Sequence, residues 1–209
     1  MDIVGLCIIY NQIFYVCKIT RKEYIVIIRH TMSVIIKAKS IDFSKINISS
    51  PKYIIDGKSY TFNLTYDSDM LTIQLPRCQL FSGVYESDGK CYCEIAIPTK
   101  GVSNDMYFKI ADRLEDLLKR ERRYENVSFL GHMRKVIDDF SCLRLKMPQN
   151  KSKVITEIVE MKDGLEEPVS MGKFVKGSTV IPIVSIEHVY IIRETLGFNL
   201  LLKKAVIVY

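Results

Sequence analysis

Leu143-Arg144-Leu145-Lys146-Met147 alternates apolar and cationic side chains. A strand turns successive side chains to opposite faces, so this stretch reads as a strand that is greasy on one side and positive on the other. Toward the C-terminus, Lys173-Phe174-Val175-Lys176-Gly177-Ser178 leads into an apolar run from Thr179 to Ile192. Leu196-Gly197-Phe198 follows, then Leu200 to Tyr209, which carries Lys203 and Lys204. Toward the N-terminus the alternation recurs: Tyr60, Phe62 and Leu64 stand against Thr61, Asn63 and Thr65, and Leu71 to Leu75 alternates before Pro76. Asp67-Ser68-Asp69 between these two runs reads as a hairpin turn. Ser87-Asp88-Gly89-Lys90 is the strongest turn signal in the chain and joins Val84-Tyr85 to a strand from Cys91 to Ile97. Ser33 to Lys39 is a further basic strand, and Ile41 to Pro51, with its Asp, Ser and Asn residues, is a connection.

One helix interrupts the strands. Ser103-Asn104-Asp105 offers an N-cap and negative charge at a helix start. Met106, Tyr107, Ile110, Leu114, Leu117 and Leu118 then recur at helical spacing, which predicts a helix over about 104–121. Lys119-Arg120-Glu121-Arg122-Arg123 ends it, either as a solvated helix end or as a phosphate contact. A shorter helix is predicted over Phe129 to Phe140, and the last strands over about 179–192 and 199–208. Seven or eight short strands around one long helix predict a mainly β fold, an elaborated OB-type Greek-key β-barrel.

The chain has 209 residues, 48% of them hydrophobic and 26% charged, enough for one domain with a real core plus an appendage. Its formal net charge of +6 fits a polyanionic partner without demanding one. The domain is read as 32–209, preceded by an extension over 1–31. Ile3 to Cys17 is apolar apart from Asn11 and Gln12 but, at about 15 residues, falls short of the roughly 20 needed to span a bilayer. It follows Asp2 rather than a cation, which makes a poor signal peptide. An extra hairpin, a weak membrane anchor and non-native sequence upstream of a true start at Met32 all remain open for it; the domain itself is expected to stay off membranes. The six cysteines, Cys7, Cys17, Cys78, Cys91, Cys93 and Cys142, show no disulfide spacing and read as reduced thiols. Cys91 and Cys93 share a strand face, yet lack the paired spacing and fourth ligand of a zinc site.

No catalytic constellation emerges. His30, His132 and His188 are scattered, and no HExxH, GxSxG or P-loop pattern occurs. The chain is therefore read as a non-enzyme with no cofactor and no metal. Binding a nucleic-acid strand needs only cations spaced along a groove and rings on which bases stack. The candidates are Lys37, Lys39, Arg77, Tyr92, Arg144, Lys146, Lys173, Phe174, Lys176, Arg193, Lys203 and Lys204, with Tyr60, Phe62, Phe81 and Tyr190 as further rings. Arg144 and Lys146 lead, because their alternation with Leu143, Leu145 and Met147 should turn them outward together.

Taken in order, these segments resemble the single-stranded-DNA-binding OB-fold proteins of short-tailed phages and of large eukaryotic DNA viruses. The shared plan is a strand ending in Ile95-Ala96-Ile97-Pro98, a helix from Asp105 to about Glu121, and a basic strand like Leu143-Arg144-Leu145-Lys146. A Lys176-Gly177-Ser178 turn, a long strand ending near Tyr190-Ile191-Ile192, Leu196-Gly197-Phe198 and a closing strand from Leu200 to Val206 complete it. Ser44-Lys45-Ile46, Pro51-Lys52 and Ile73-Gln74-Leu75-Pro76-Arg77-Cys78 are similar to a small uncharacterised protein group of large DNA viruses. The resemblance covers about 32–209. It implies single-stranded DNA as the partner, replication proteins and a second copy of the chain as further partners, and action at a viral replication site in the cytoplasm or nucleus of the host cell, or packaging in the virion. Phage members end in a long acidic tail that recruits partners; this chain closes on Ala205-Val206-Ile207-Val208-Tyr209, so recruitment of that kind is not expected. The rival expectation is a virion structural or assembly protein built on the same barrel.

Overall fold

The structure is a computed structural model that describes residues 2–9, 12–19, 22–24, 30–31, 34–54, 59–131, 133–137 and 139–209. Met32 and His132 lie outside the described residues, and with Met32 the expected start there. Two compact units divide at Met1–Val34 and Ile35–Tyr209. In the first, Asp2–Ile9 pairs antiparallel with Gln12–Ile19, which also pairs with Lys22–Tyr24 and His30–Thr31.

The second unit is built around five strands: β1 (Cys78–Ser87), β2 (Lys90–Pro98), β3 (Phe140–Met147), β4 (Thr179–Ile186) and β5 (Leu201–Ile207), with helix α1 (Val102–Leu118) between β2 and β3. β1 pairs with β2, β2 with β3, β3 with β5, β5 with β4, and β4 returns to β1. All contacts are antiparallel except β3–β5. The circuit is a closed five-stranded barrel of the OB type, in which each strand pairs with two neighbours. β1 can serve two neighbours because its register with β2 shifts twice, after Leu80 and after Ser82; such bulges bend a strand and sharpen its twist. Its hairpin to β2 turns through Asp88 and Gly89, both at positive φ (52° and 69°), the geometry that matches strand twist and that Asp-Gly tolerates.

Alternation supplies the interior. Cys93, Ile95 and Ile97 of β2 and Leu143, Leu145 and Met147 of β3 are buried, as are Val180 and Val184 of β4 and Ala205 and Ile207 of β5. α1 adds Met106, Tyr107, Ile110 and Leu114 to the same core. The helix starts two residues earlier than its sequence signals predict. Gly101 is the N-cap, no side chain caps it, and Ser103 is buried inside the first turn. Asp105 still sits in that turn, where negative charge suits the helix dipole. At the other end α1 stops at Leu118; Lys119 reaches back to Glu115 at 2.6 Å, and a 3-10 turn covers Arg122–Tyr124.

A second sheet is centred on Ser59–Tyr66, which pairs with Ile46–Ile48, Lys52–Tyr53 and His188–Ile192. His188–Ile192 in turn pairs with Thr195–Phe198. Three sequence expectations are corrected by this arrangement. The run 179–192 is two strands: Thr179–Ile186 stays in the barrel, and the chain breaks at Glu187, whose carbonyl accepts from the Leu64 N–H at 3.1 Å, before entering the second sheet. Asp67-Ser68-Asp69 does turn tightly, with Tyr66 and Asp69 exchanging both backbone bonds, but the strands it joins enter different sheets and form no hairpin. Leu71–Gln74 pairs with β4 and with Ile35–Lys37 instead. The stretch expected as a helix over 129–140 contains Met133–Ile137, a strand antiparallel to β3. β3 meets β5 at only one register pair, so the rest of that edge is open, and pairing there outweighs local helix propensity. Among the described residues no helix is long and apolar enough to cross a membrane.

Candidate nucleic-acid interface

The outer side of β1, β2 and β3 brings cations together with half-buried rings. The two-residue turn fixes the register of β1 and β2, so Tyr85 stands directly opposite Tyr92, and Tyr92 in turn opposite Lys146 on β3. The two tyrosine rings lie 6.0 Å apart. Arg144 is paired across the strands with Glu94, yet its side chain leans sideways. Its guanidinium lies 3.6 Å from the centre of the Tyr92 ring and 5.7 Å from that of Tyr85. A guanidinium stacked on a ring face is held flat and loses little freedom when it meets a phosphate.

Glu94 organises the middle of this face. It accepts from the Tyr85 hydroxyl at 3.3 Å and from Arg134, on the strand beside β3, at 3.5 Å. Its own N–H donates to Ser82 Oγ at 3.0 Å. One row further along β1, Phe81 receives Arg134 at 5.8 Å and Lys176 at 5.6 Å. Arg134, Arg144, Lys146 and Lys176 thus share this side of the barrel with Glu94, of which Arg134 pairs with its carboxylate. Burial raises the Tyr85 phenol, with Glu94 adding to the effect, so the hydroxyl stays protonated and able to donate.

Beside the face, the Tyr190 ring crosses Gly197 on the neighbouring strand. A Cβ at Gly197 would come within 2.5 Å of that ring, so only glycine admits it there. Burial raises the Tyr190 phenol as well, with Tyr92 as the second cause.

Of the residues singled out from sequence, Tyr92, Arg144 and Lys146 come together, and Lys176 joins them through Phe81. The others do not. Phe174 is 2% exposed and belongs to the core, so it offers no stacking surface. Phe62, at 1%, is buried as well. Lys173 is paired with Glu160 at 2.7 Å and Lys203 with Glu187 at 2.5 Å. Lys204 sits between Glu157 and Glu166. Each of these three lysines pairs with a carboxylate away from the Tyr92 cluster. Lys37 and Lys39 line a separate cavity of about 210 Å³ with Gln74 and Pro76. Arg77 and Arg193 are exposed, Arg193 in a turn at φ 59°, and no ring or carboxylate contact joins either to the Tyr92 cluster among the described residues.

Sequence reasoning missed Tyr85, Glu94 and Arg134. Tyr85 had a readable signal, because a two-residue turn at Asp88-Gly89 dictates the 85–92 pair. Arg134 had none once its segment was read as helix. Cys142, on β3, hydrogen-bonds Arg134 at the edge of this face, whereas Cys78 and Cys93 are buried away from it. Burial pushes the Cys78 and Cys93 thiols up to about 12, and among the described residues no His, Cys, Asp or Glu cluster could hold a metal ion. Compared with known proteins, the chain matches no family model and no curated protein.

Proposed function

We propose that this protein is a non-enzymatic single-stranded-DNA-binding protein of a large DNA virus, which coats exposed strands during replication, recombination or repair at the viral replication site. The observation that carries the reading is the Arg144 guanidinium stacked 3.6 Å over Tyr92, beside Tyr85 and Lys146, on the outer face of a closed five-stranded barrel. The second and third strands and the adjoining loops are where barrels of this type bind oligonucleotides. Cations on such a face attract phosphates in a salt-dependent way, and its tyrosines give bases a surface that tolerates any sequence. A double helix hides its base faces in its own stack, so the rings favour single strands.

The test is fluorescence anisotropy of the full chain with labelled oligo-dT at two salt concentrations, with duplex DNA as competitor. Tight, salt-dependent binding that duplex fails to compete away is the expected result. Absence of binding at low salt overturns the reading.

A further inference from the structure

The barrel is closed between β3 and β5 by one register pair, Lys146 with Leu201, and by the Lys146 N–H donating to the Leu200 carbonyl at 2.9 Å. Next to this narrow contact, between β3 and the segment that leads into β5, lies a cavity of about 180 Å³. Leu143, Tyr107, Phe198 and Leu200 line it, all of them buried. The Tyr107 and Phe198 rings are 5.0 Å apart. Tyr92, Arg144 and the exposed Asn199 complete the lining, so the stack that dominates the outer face also borders this cavity.

Sites for drug-sized molecules and cofactors run to roughly 300–1,000 Å³, and this cavity is smaller. At about 30 Å³ per water it has the room of some six waters, enough for a single planar ring system. Tyr92, Arg144 and Asn199 give it a polar mouth, and the buried Tyr107, Leu143, Phe198 and Leu200 form its floor. Asn199 adds a donor and an acceptor side by side, the pairing that reads a base edge, and its amide has no hydrogen-bond partner among the described residues.

We propose that this cavity receives one base of a bound single strand, turned out of its stack, with Asn199 reading its edge. The inference rests on the proposed single-strand function and sharpens it. A strand lying over Tyr85 and Tyr92 puts its phosphates within reach of Arg144 and Lys146 and one base at the cavity. Binding is then sequence-tolerant along most of the strand and selective at one position.

The test is photo-crosslinking of the full chain to oligo-dT carrying 5-iodouracil, with the adduct peptides mapped by mass spectrometry. Adducts on Tyr107 or Phe198 are expected, because both rings line the cavity and are otherwise buried. Binding with adducts confined to Tyr85 and Tyr92 overturns the cavity and leaves the outer face standing. No binding by any oligonucleotide overturns both. Asn199→Ala, at an exposed position where the fold should hold, is expected to weaken binding about three- to tenfold, the worth of a hydrogen bond or two. Unchanged affinity overturns the part given to Asn199.

Discussion

Arg144 and Lys146 differ from Lys173, Lys203 and Lys204 less in charge than in the partners they meet. Lys173, Lys203 and Lys204 each spend their charge on a nearby carboxylate. Arg144 instead lies on the face of Tyr92 and meets the Tyr85 hydroxyl, with no carboxylate among the described residues holding it. Replacing Arg144 and Lys146 together with Ala should therefore weaken oligo-dT binding and flatten its salt dependence by about 1.4 in log–log slope, two phosphate contacts at roughly 0.7 each. Their unfolding midpoint should barely move; an unchanged slope would show that neither side chain meets a phosphate. Tyr92→Ala should cost about 1–3 kcal/mol of binding, the worth of one stacked base. Phe174→Ala is the contrasting case. It should destabilise the fold by about 3–5 kcal/mol, as large-to-small changes in a packed core do, and leave the salt slope of the folded fraction alone. Chemical denaturation and anisotropy on the same samples separate the two effects.

At the scale of elements, the sequence was most legible where local chemistry and tertiary pairing agree. Asp88-Gly89 forced its hairpin, the apolar spacing from Met106 to Leu118 forced its helix, and the alternation of 143–147 forced β3. Reading failed where pairing partners decide. Nothing local in Met133–Ile137 announces that β3 has an open edge to offer it. Nothing local in 179–192 says that Glu187 is where the chain changes sheets. For the same reason Lys203 and Lys204 looked like surface cations: the carboxylates that claim them, Glu187, Glu157 and Glu166, come from other strands. The strand pair His188–Ile192 and Thr195–Phe198 offers a test of element geometry. Gly197→Ala should keep the fold but swing the Tyr190 ring aside, which tyrosine fluorescence and two-dimensional NMR of the ring protons would register. A ring left in place would mean the strands part to admit the methyl group.

For the molecule as a whole, the titrating groups set an alkaline limit. The Cys78 and Cys93 thiols, ordinarily near 9.0, are held up to about 12 by burial. A group raised in the folded state stabilises it fully below its unfolded value and loses that contribution as pH climbs toward the folded one. Lys45, Lys119, Lys173 and Lys204, raised by their carboxylate partners despite some desolvation, act in the same direction. The thermal midpoint should fall steadily between pH 9 and pH 12. A midpoint flat across that window would mean the two thiols are not sealed in the barrel. Consistently, thiol reagents should reach Cys78 and Cys93 only after unfolding.

The barrel's closing pairs carry a kinetic consequence. Ser87 meets Lys90 across the turn, but Cys78 meets Val180 and Lys146 meets Leu201. A hairpin forms in about 1–10 μs. A circuit that must bring residue 78 to residue 180 waits on the loss of chain freedom over the whole intervening stretch, and folding rates fall steeply as such separations grow. The β1–β2 hairpin is thus the natural early structure and the β3–β5 seam a late one. Until that seam forms, the cationic face can exist without its cavity, and under the proposed single-strand function a partly folded chain would hold DNA by charge before it could distinguish one base from another.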